Sequence, residues 1–238
     1  MLWYKAWLES RMRFLICLIG MTLLGAYPVH SDIHWGRPET TLTYYYSSVH
    51  SGIGVIGALW LVAVIFLMMG GLLREKAVGA ASFTLALPFS RQRLMGVRIA
   101  TGLIEAVILI VAPSAAICIQ VSAIGKPYPL PQAWFSFLLL ISGGLVAFAV
   151  ALLTASLVEG EYTAPLVSFA ILIGAVPALG DPRLQKVNPY AFMAGVDYFD
   201  RATGLLVGPI PWVQAGAYLL VAALLVATSV KVIQMRDF

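Results

Sequence analysis

Charge is the first thing this sequence lacks. Only 11% of its 238 residues are Asp, Glu, Lys or Arg, while 61% are hydrophobic. A soluble domain carries about 25% charged residues. So little charge cannot build a surface facing water, so lipid must be the solvent over most of the chain. Cysteine is also scarce: Cys17 and Cys118 are the two, each inside an apolar run, with no CxxC or Cys/His spacing. Neither a disulfide framework nor a metal site is expected from them, and both read as small apolar residues of helices. A phosphate-cradling Walker A loop is missing too. It needs GxxxxGK followed by Ser or Thr, whereas Gly125-Lys126 is followed by Pro127 and Gln120 stands where the first glycine should be. ATP hydrolysis by that route is excluded for this chain. There is no internal repeat and no low-complexity tract. The longest loops hold about two or three dozen residues, too few to fold a catalytic domain unaided. The net charge of +4 is small, and no nucleic-acid partner is expected from it.

What remains is a series of apolar runs. A spanning helix needs about 20 mainly apolar residues. The runs predict an all-α membrane protein of six transmembrane helices in a single domain, at 14–27, 52–73, 99–124, 133–158, 163–179 and 212–230. Residues 1–13 are amphipathic, with Trp3, Tyr4, Trp7 and Leu8 on one helical face and Lys5, Glu9 and Arg13 elsewhere. Aromatic rings beside basic residues suit the headgroup layer, so this segment predicts an interfacial helix leading into helix one. A signal peptide is the competing reading of the same stretch. Trp3, Tyr4, Trp7 and Glu9 make an unusual basic region for one, and Leu24-Gly25-Ala26 is a poor cleavage site. Helix one is expected to stop at Pro28, and helix five to be interrupted by Gly174 and Pro177.

Six helices place the N-terminus, loop 74–98, turn 159–162 and the C-terminal tail on one side. That side carries Lys5, Arg11, Arg13, Arg74, Lys76, Arg91, Arg93, Arg98, Lys231 and Arg236. The other carries Arg37, Lys126, Arg183, Lys186 and Arg201. The positive-inside rule then puts both termini in the cytoplasm, with the chain in the cell's inner membrane. The segment 180–211 mixes Asp181, Asn188, Asp197 and Asp200 with Phe192, Met193, Tyr198 and Phe199. It is too polar to span and too apolar for a free loop. Short re-entrant or interfacial helices at the outer face are expected, because irregular backbone at membrane depth must be shielded by protein or water.

Two polar constellations merit a chemical reading. His30, Asp32 and His34 could chelate a metal at the outer face, with His50 in the same loop. Nothing in the sequence fixes a geometry, and solvated loop residues are the expected reading. Glu105 lies two turns into helix three. An ionisable group in a membrane segment is costly and usually faces the bundle interior, so Glu105 is a candidate for lining a translocation path or for a structural hydrogen bond. Arg98 and Thr101 share its face at helical spacing and extend it into a polar strip.

Loop 74–98 is the most informative stretch. Charges open it at Arg74-Glu75-Lys76 and close it at Arg91-Gln92-Arg93. Between them Phe83 and Leu87 fall one helical turn apart, Pro88 ends that turn, and Ser90 can cap the next helix. An apolar knob thus projects between basic flanks, ready to lie on headgroups or to dock into a soluble partner. The order of Glu75-Lys76, Gly79, Phe83-Thr84-Leu85-Ala86-Leu87, Pro88, Ser90 and Arg91 resembles the first cytoplasmic loop of ABC-2 type transporter permeases, the membrane subunits of type V exporter-like machines. Members often have Thr after the glycine, where this chain has Ala80. The architecture of the whole chain resembles that family, while the motif covers about 20 residues.

The resemblance implies that Glu75, Lys76, Gly79, Phe83, Thr84, Leu87, Pro88, Ser90 and Arg91 form a coupling helix seated in a groove of a separate ATPase subunit. It implies a secondary cytoplasmic contact through Glu159 and Glu161, ATP and Mg held by the partner, and a homo- or heterodimer of permease subunits. Ile141-Ser142-Gly143-Gly144-Leu145 superficially echoes the signature loop of ABC ATPases. It lies within an apolar run, where small residues allowing close helix approach explain it better. Export of a lipophilic or amphipathic substrate is the resulting expectation. A membrane anchor that recruits a cytoplasmic partner is the alternative from another class. A membrane-embedded enzyme using Glu105 or the His30 cluster is a further one, for which the helices offer few converging polar groups.

Overall fold

The computed structural model describes residues 2–35, 42–68, 91–123, 125, 128–158, 163–179, 181 and 187–235. Its elements in chain order are α1 (Leu2–Trp35), α2 (Leu42–Met68), α3 (Arg91–Ala123), α4 (Leu130–Leu157), α5 (Thr163–Leu179), the short α6 (Pro189–Met193), a hairpin of β1 (Phe199–Asp200) and β2 (Leu205–Leu206), and α7 (Trp212–Met235). Five of these helices, α1 to α4 and α7, are long and apolar enough to cross a membrane. The chain is an all-α, multi-pass membrane protein. α5 is apolar but has 17 residues, about 26 Å of helix against a hydrocarbon core of about 30 Å.

Several boundaries differ from the sequence reading. Residues 2–13 are not a separate interfacial helix, and helix one does not stop at Pro28. Both belong to one helix of 34 residues. Proline removes one backbone bond but keeps a helical φ, and in a membrane a neighbouring helix can hold the chain straight. Here the turn around Pro28 is held by packing: Met21 and Val29 are buried, and Gly25 abuts α2. α2 begins at Leu42, so the tyrosines at 44–46 and His50 are helical rather than loop residues. α3 begins at Arg91, which moves Arg91, Arg93 and Arg98 from the loop onto the helix. Arg and Gln are good helix formers, so charge alone did not mark the boundary.

Without a hydrophobic driving force between helices in lipid, close packing and hydrogen bonds decide association. Glycine supplies the close approaches. A Cβ on Gly52 would lie 2.7 Å from the backbone oxygen of Gly25, so α1 and α2 cross with their backbones touching. Trp60 of α2 is 1% exposed and lies between α3 and α4. Its indole N–H donates to the Ala106 carbonyl at 2.8 Å, and its ring fills the space left by Gly144. The neighbouring Gly143 admits Met193 and the Pro189 carbonyl of α6. The Thr154 and Ser168 hydroxyls bond to each other and tie α4 to α5.

Residues 187–211 form a cap at the end of the bundle opposite the α1 N-terminus. Asn188 caps α6, its side chain accepting from the Tyr190 and Ala191 amides, with Pro189 in the first turn. The two short strands pair antiparallel, Phe199 with Leu206 and Asp200 with Leu205. Between them Asp200 accepts from the Ala202 amide and the Thr203 hydroxyl, which hold its carboxyl below the usual range. The Gln132 side chain of α4 behaves as a strand partner. It donates to the Leu206 carbonyl and accepts from the Leu206 amide, both at 2.9 Å.

The glycine contacts make a direct test. Gly52→Ala should cost about 1–3 kcal/mol through steric conflict with a backbone that cannot yield. Gly20→Ala, where a Cβ meets nothing within 4 Å, should be neutral or mildly favourable on helix propensity. Thermal unfolding of the two variants in one detergent checks this, and equal melting temperatures would contradict the close crossing.

Candidate functional site

The sharpest polar cluster lies between α1 and α3 at the basic end of the bundle. It follows from spacing on two helices. Lys5, Glu9 and Arg13 recur every four residues along α1, with Ser10 beside Glu9. Arg98, Thr101 and Glu105 recur at three and four along α3, so each set occupies one face. The two faces meet. The Arg98 guanidinium pairs with the Glu9 carboxylate, and Lys5 Nζ lies 3.7 Å from the other Glu9 oxygen. One turn deeper, the Ser10 hydroxyl donates to the Glu105 carboxylate. Arg13 reaches sideways, donating to the Phe66 carbonyl of α2 at 3.2 Å and to the Glu9 carbonyl at 2.8 Å. Its positive charge also acts on Glu105.

Glu105 is 2% exposed. It faces the bundle interior, as a membrane carboxyl should. Thr101 turns its hydroxyl back to the Val97 carbonyl at 2.9 Å and stays within its own helix. The polar strip read from α3 alone is therefore half of an interhelical seam. Its partners Glu9, Ser10 and Arg13 were not legible as partners, although one signal pointed to them. Glu9 and Glu105 are the only acidic residues that fall within the five long apolar spans. Two costly acids in adjacent membrane helices invite the expectation of a shared network.

The chemistry available is that of a clamp. Two carboxylates, a hydroxyl and two guanidinium groups join three helices: α1 to α3 by the Glu9–Arg98 pair and the Ser10–Glu105 hydrogen bond, α1 to α2 through Arg13. Such a network is stable where water is excluded and loosens where water enters, because the same groups then bond to solvent.

The other predicted residues are placed as follows. Glu75, Lys76, Gly79, Phe83, Thr84, Leu87, Pro88 and Ser90 lie outside the described residues, as do Glu159 and Glu161. The backbone of Arg91 opens α3, and its side chain lies outside the described set, as do those of Asp32 and His34. His30 Nδ1 is 3.5 Å from the Gln120 amide nitrogen, and His50 stacks on Phe199 with ring centroids 4.0 Å apart. The two histidines have different neighbours. Among the described residues no three of His, Cys, Asp and Glu converge as metal ligands would.

No protein-family model matches this chain, and no curated protein matches it. The reading of the site rests on its own residues.

A double-mutant cycle tests the seam. Ser10→Ala should cost about 1–3 kcal/mol, the range for leaving a buried hydrogen-bonding group without its partner. In a Glu105→Leu background the same change should cost much less, since the acceptor is gone. Unfolding by a denaturing detergent supplies the free energies. Additive effects would show that Ser10 and Glu105 do not act together.

Proposed function

We propose that this chain is the permease subunit of an ATP-binding cassette transporter of the ABC-2 type. It crosses the inner membrane six times, with α5 as the shortest span and both termini in the cytoplasm. A separate ATPase subunit binds ATP and Mg, and two permease subunits form the pathway. The cargo is a lipophilic or amphipathic molecule moving outward.

The observation that carries this reading is where the charge-flanked apolar segment attaches. α2 ends at Met68 and α3 starts at Arg91, both at the basic end. The segment with Phe83 and Leu87 joins these two helices. Seven residues after Arg91, Arg98 grips α1 through Glu9, and Arg13 of α1 grips the last turn of α2. A push on the segment is therefore delivered to a three-helix seam rather than to a single helix. That is the mechanical arrangement a coupling helix needs. ATP-driven closure of the ATPase pair would tilt α3, and α1 and α2 would follow as a unit.

Phe83→Asp places a charge in the segment that joins α2 to α3 and leaves the sequence of every membrane helix unchanged. Tagged full-length chain, extracted from its native membranes, should bring an ATP-hydrolysing subunit with it. The Phe83→Asp variant should retain about a tenth of that activity or less, as expected when a buried aromatic anchor is lost from an interface. A wild-type chain that purifies alone, or a variant with undiminished ATPase, sinks the reading.

A further inference from the structure

Positive charge in this chain is gathered at one end of the bundle. Among the described residues, Lys5, Arg11 and Arg13 of α1, Arg93 and Arg98 of α3 and Lys231 of α7 stand there with one carboxylate, Glu9. The opposite end holds Asp181, Asp197, Asp200 and Arg201. The sequence joining the helices keeps the same bias: ten Lys and Arg oppose five acids at the basic end, and five oppose five at the other.

Packing joins these cations into a band. Glu9 draws Arg98 and Lys5 together across α1 and α3. Met95 of α3 packs with Ile233 of α7, so the turns that carry Arg93 and Lys231 are neighbours. Exposed Trp3, Tyr4 and Trp7 occupy the same turns of α1 as Lys5 and Glu9. Depth follows from helix length. α1 and α3 have 34 and 33 residues, about 50 Å each against a hydrocarbon core of about 30 Å. Charged side chains are costly inside that core, so the overhang includes the first turns of both helices.

We propose that this three-helix band binds the headgroups of anionic phospholipids in the adjoining leaflet and selects them over zwitterionic ones. Charge complementarity gives the sign of the ligand, a phosphate whose lipid carries net negative charge. Continuity gives its source. α1 runs as one helix from the band into its apolar stretch, so the cations are held at headgroup depth. The exposed rings among them suit that same layer, and they favour a membrane over a soluble acidic protein, which would need the charges alone. The inference does not depend on the permease reading.

Native mass spectrometry of the full chain in mild detergent, offered equimolar dioleoyl phosphatidylglycerol and dioleoyl phosphatidylcholine, tests it. The wild type should retain phosphatidylglycerol in an excess of about fivefold or more. Each cation near a membrane surface contributes about fivefold to such binding, so Arg11→Gln, Arg93→Gln and Lys231→Gln together should bring the two lipids close to parity. Arg11→Lys, Arg93→Lys and Lys231→Arg together keep the charge and should keep the excess. Arg201→Gln, at the opposite end, should behave as wild type. Inorganic phosphate should lower the excess no more than chloride does at equal ionic strength. Equal retention of the two lipids by the wild type overturns the proposal. So does an excess that survives the triple Gln variant, or one that is lost in the charge-keeping variant or in Arg201→Gln. Selective displacement by inorganic phosphate would assign the band to a free anion, and an acidic protein held by the three cations with the lipids at parity would assign it to a protein partner; either result overturns it equally.

Discussion

The bundle turns on Trp60. In lipid the indole gains little from leaving its surroundings, since the hydrocarbon outside is as apolar as the protein inside. What it gains is a bond and a fit. Its N–H would lack a partner in hydrocarbon, and the Ala106 carbonyl of α3 supplies one. Its ring would have nowhere to go between packed helices, and Gly144 of α4 leaves the space. One side chain thus sets three helices against each other. It also fixes the rotation of α3. Ala106 follows Glu105 directly in sequence, so the residue that receives the Trp60 bond positions the carboxylate next to it. Residues one apart on a helix point about 100° from each other. The Trp60 bond thus falls on the same turn of α3 from which the Glu105 side chain reaches Ser10 of α1.

α4 shows how much can be done with small residues. Along one helix, Gly143 admits α6, Gly144 admits Trp60, and Thr154 bonds to Ser168 of α5. At its outer end the Gln132 amide imitates a peptide group and holds the hairpin by the two bonds of Leu206. Non-helical backbone near a membrane must have its polar groups satisfied. The hairpin is two residues per strand, too short to be stable alone. The Gln132 clamp, the His50 ring stacked on Phe199 and the Gly204 turn pressed against the Thr43 carbonyl together hold it in place.

The parts of this fold that were legible in the sequence are those fixed by composition along the chain. Apolar runs showed where helices pass through lipid. A lone carboxyl in such a run had to face inward, and Glu105 does. The adjacent glycines 143 and 144 had to mark close approaches, and they do. What was not legible depends on partners distant in sequence. Pro28 reads as a stop because its local cost is visible and the packing of Val29 and Gly25 that offsets it is not. The tyrosines at 44–46 read as loop because they are polar at one end. They are helical because Tyr45 is buried and Tyr46 packs on Tyr128. Ser10 is an ordinary serine in sequence, and only the register of α1 against α3 makes it the partner of Glu105. Gln132 carries no periodic signal at all.

The seam and the Trp60 wedge have different strengths, and that difference shapes what the bundle can do. The wedge is apolar, deep and dry, and nothing in it responds to water. The seam is graded. Its upper link, Ser10 to Glu105, is buried, while its lower link, Glu9 to Arg98 with Lys5 alongside, is partly exposed. Exposed ion pairs contribute little because water competes for both partners. A displacement at the Arg91 end of α3 meets the weak link first, and Trp60 acts as a fixed point farther along the same helix. The seam is therefore weakest at the basic ends of α1 and α3 and firmest near the level of Ala106. The weak end is also the end at which residues 69–90 join α2 to α3. Water approaching from the basic end meets the Glu9 pair before it meets Glu105, which lies one turn deeper and is buried.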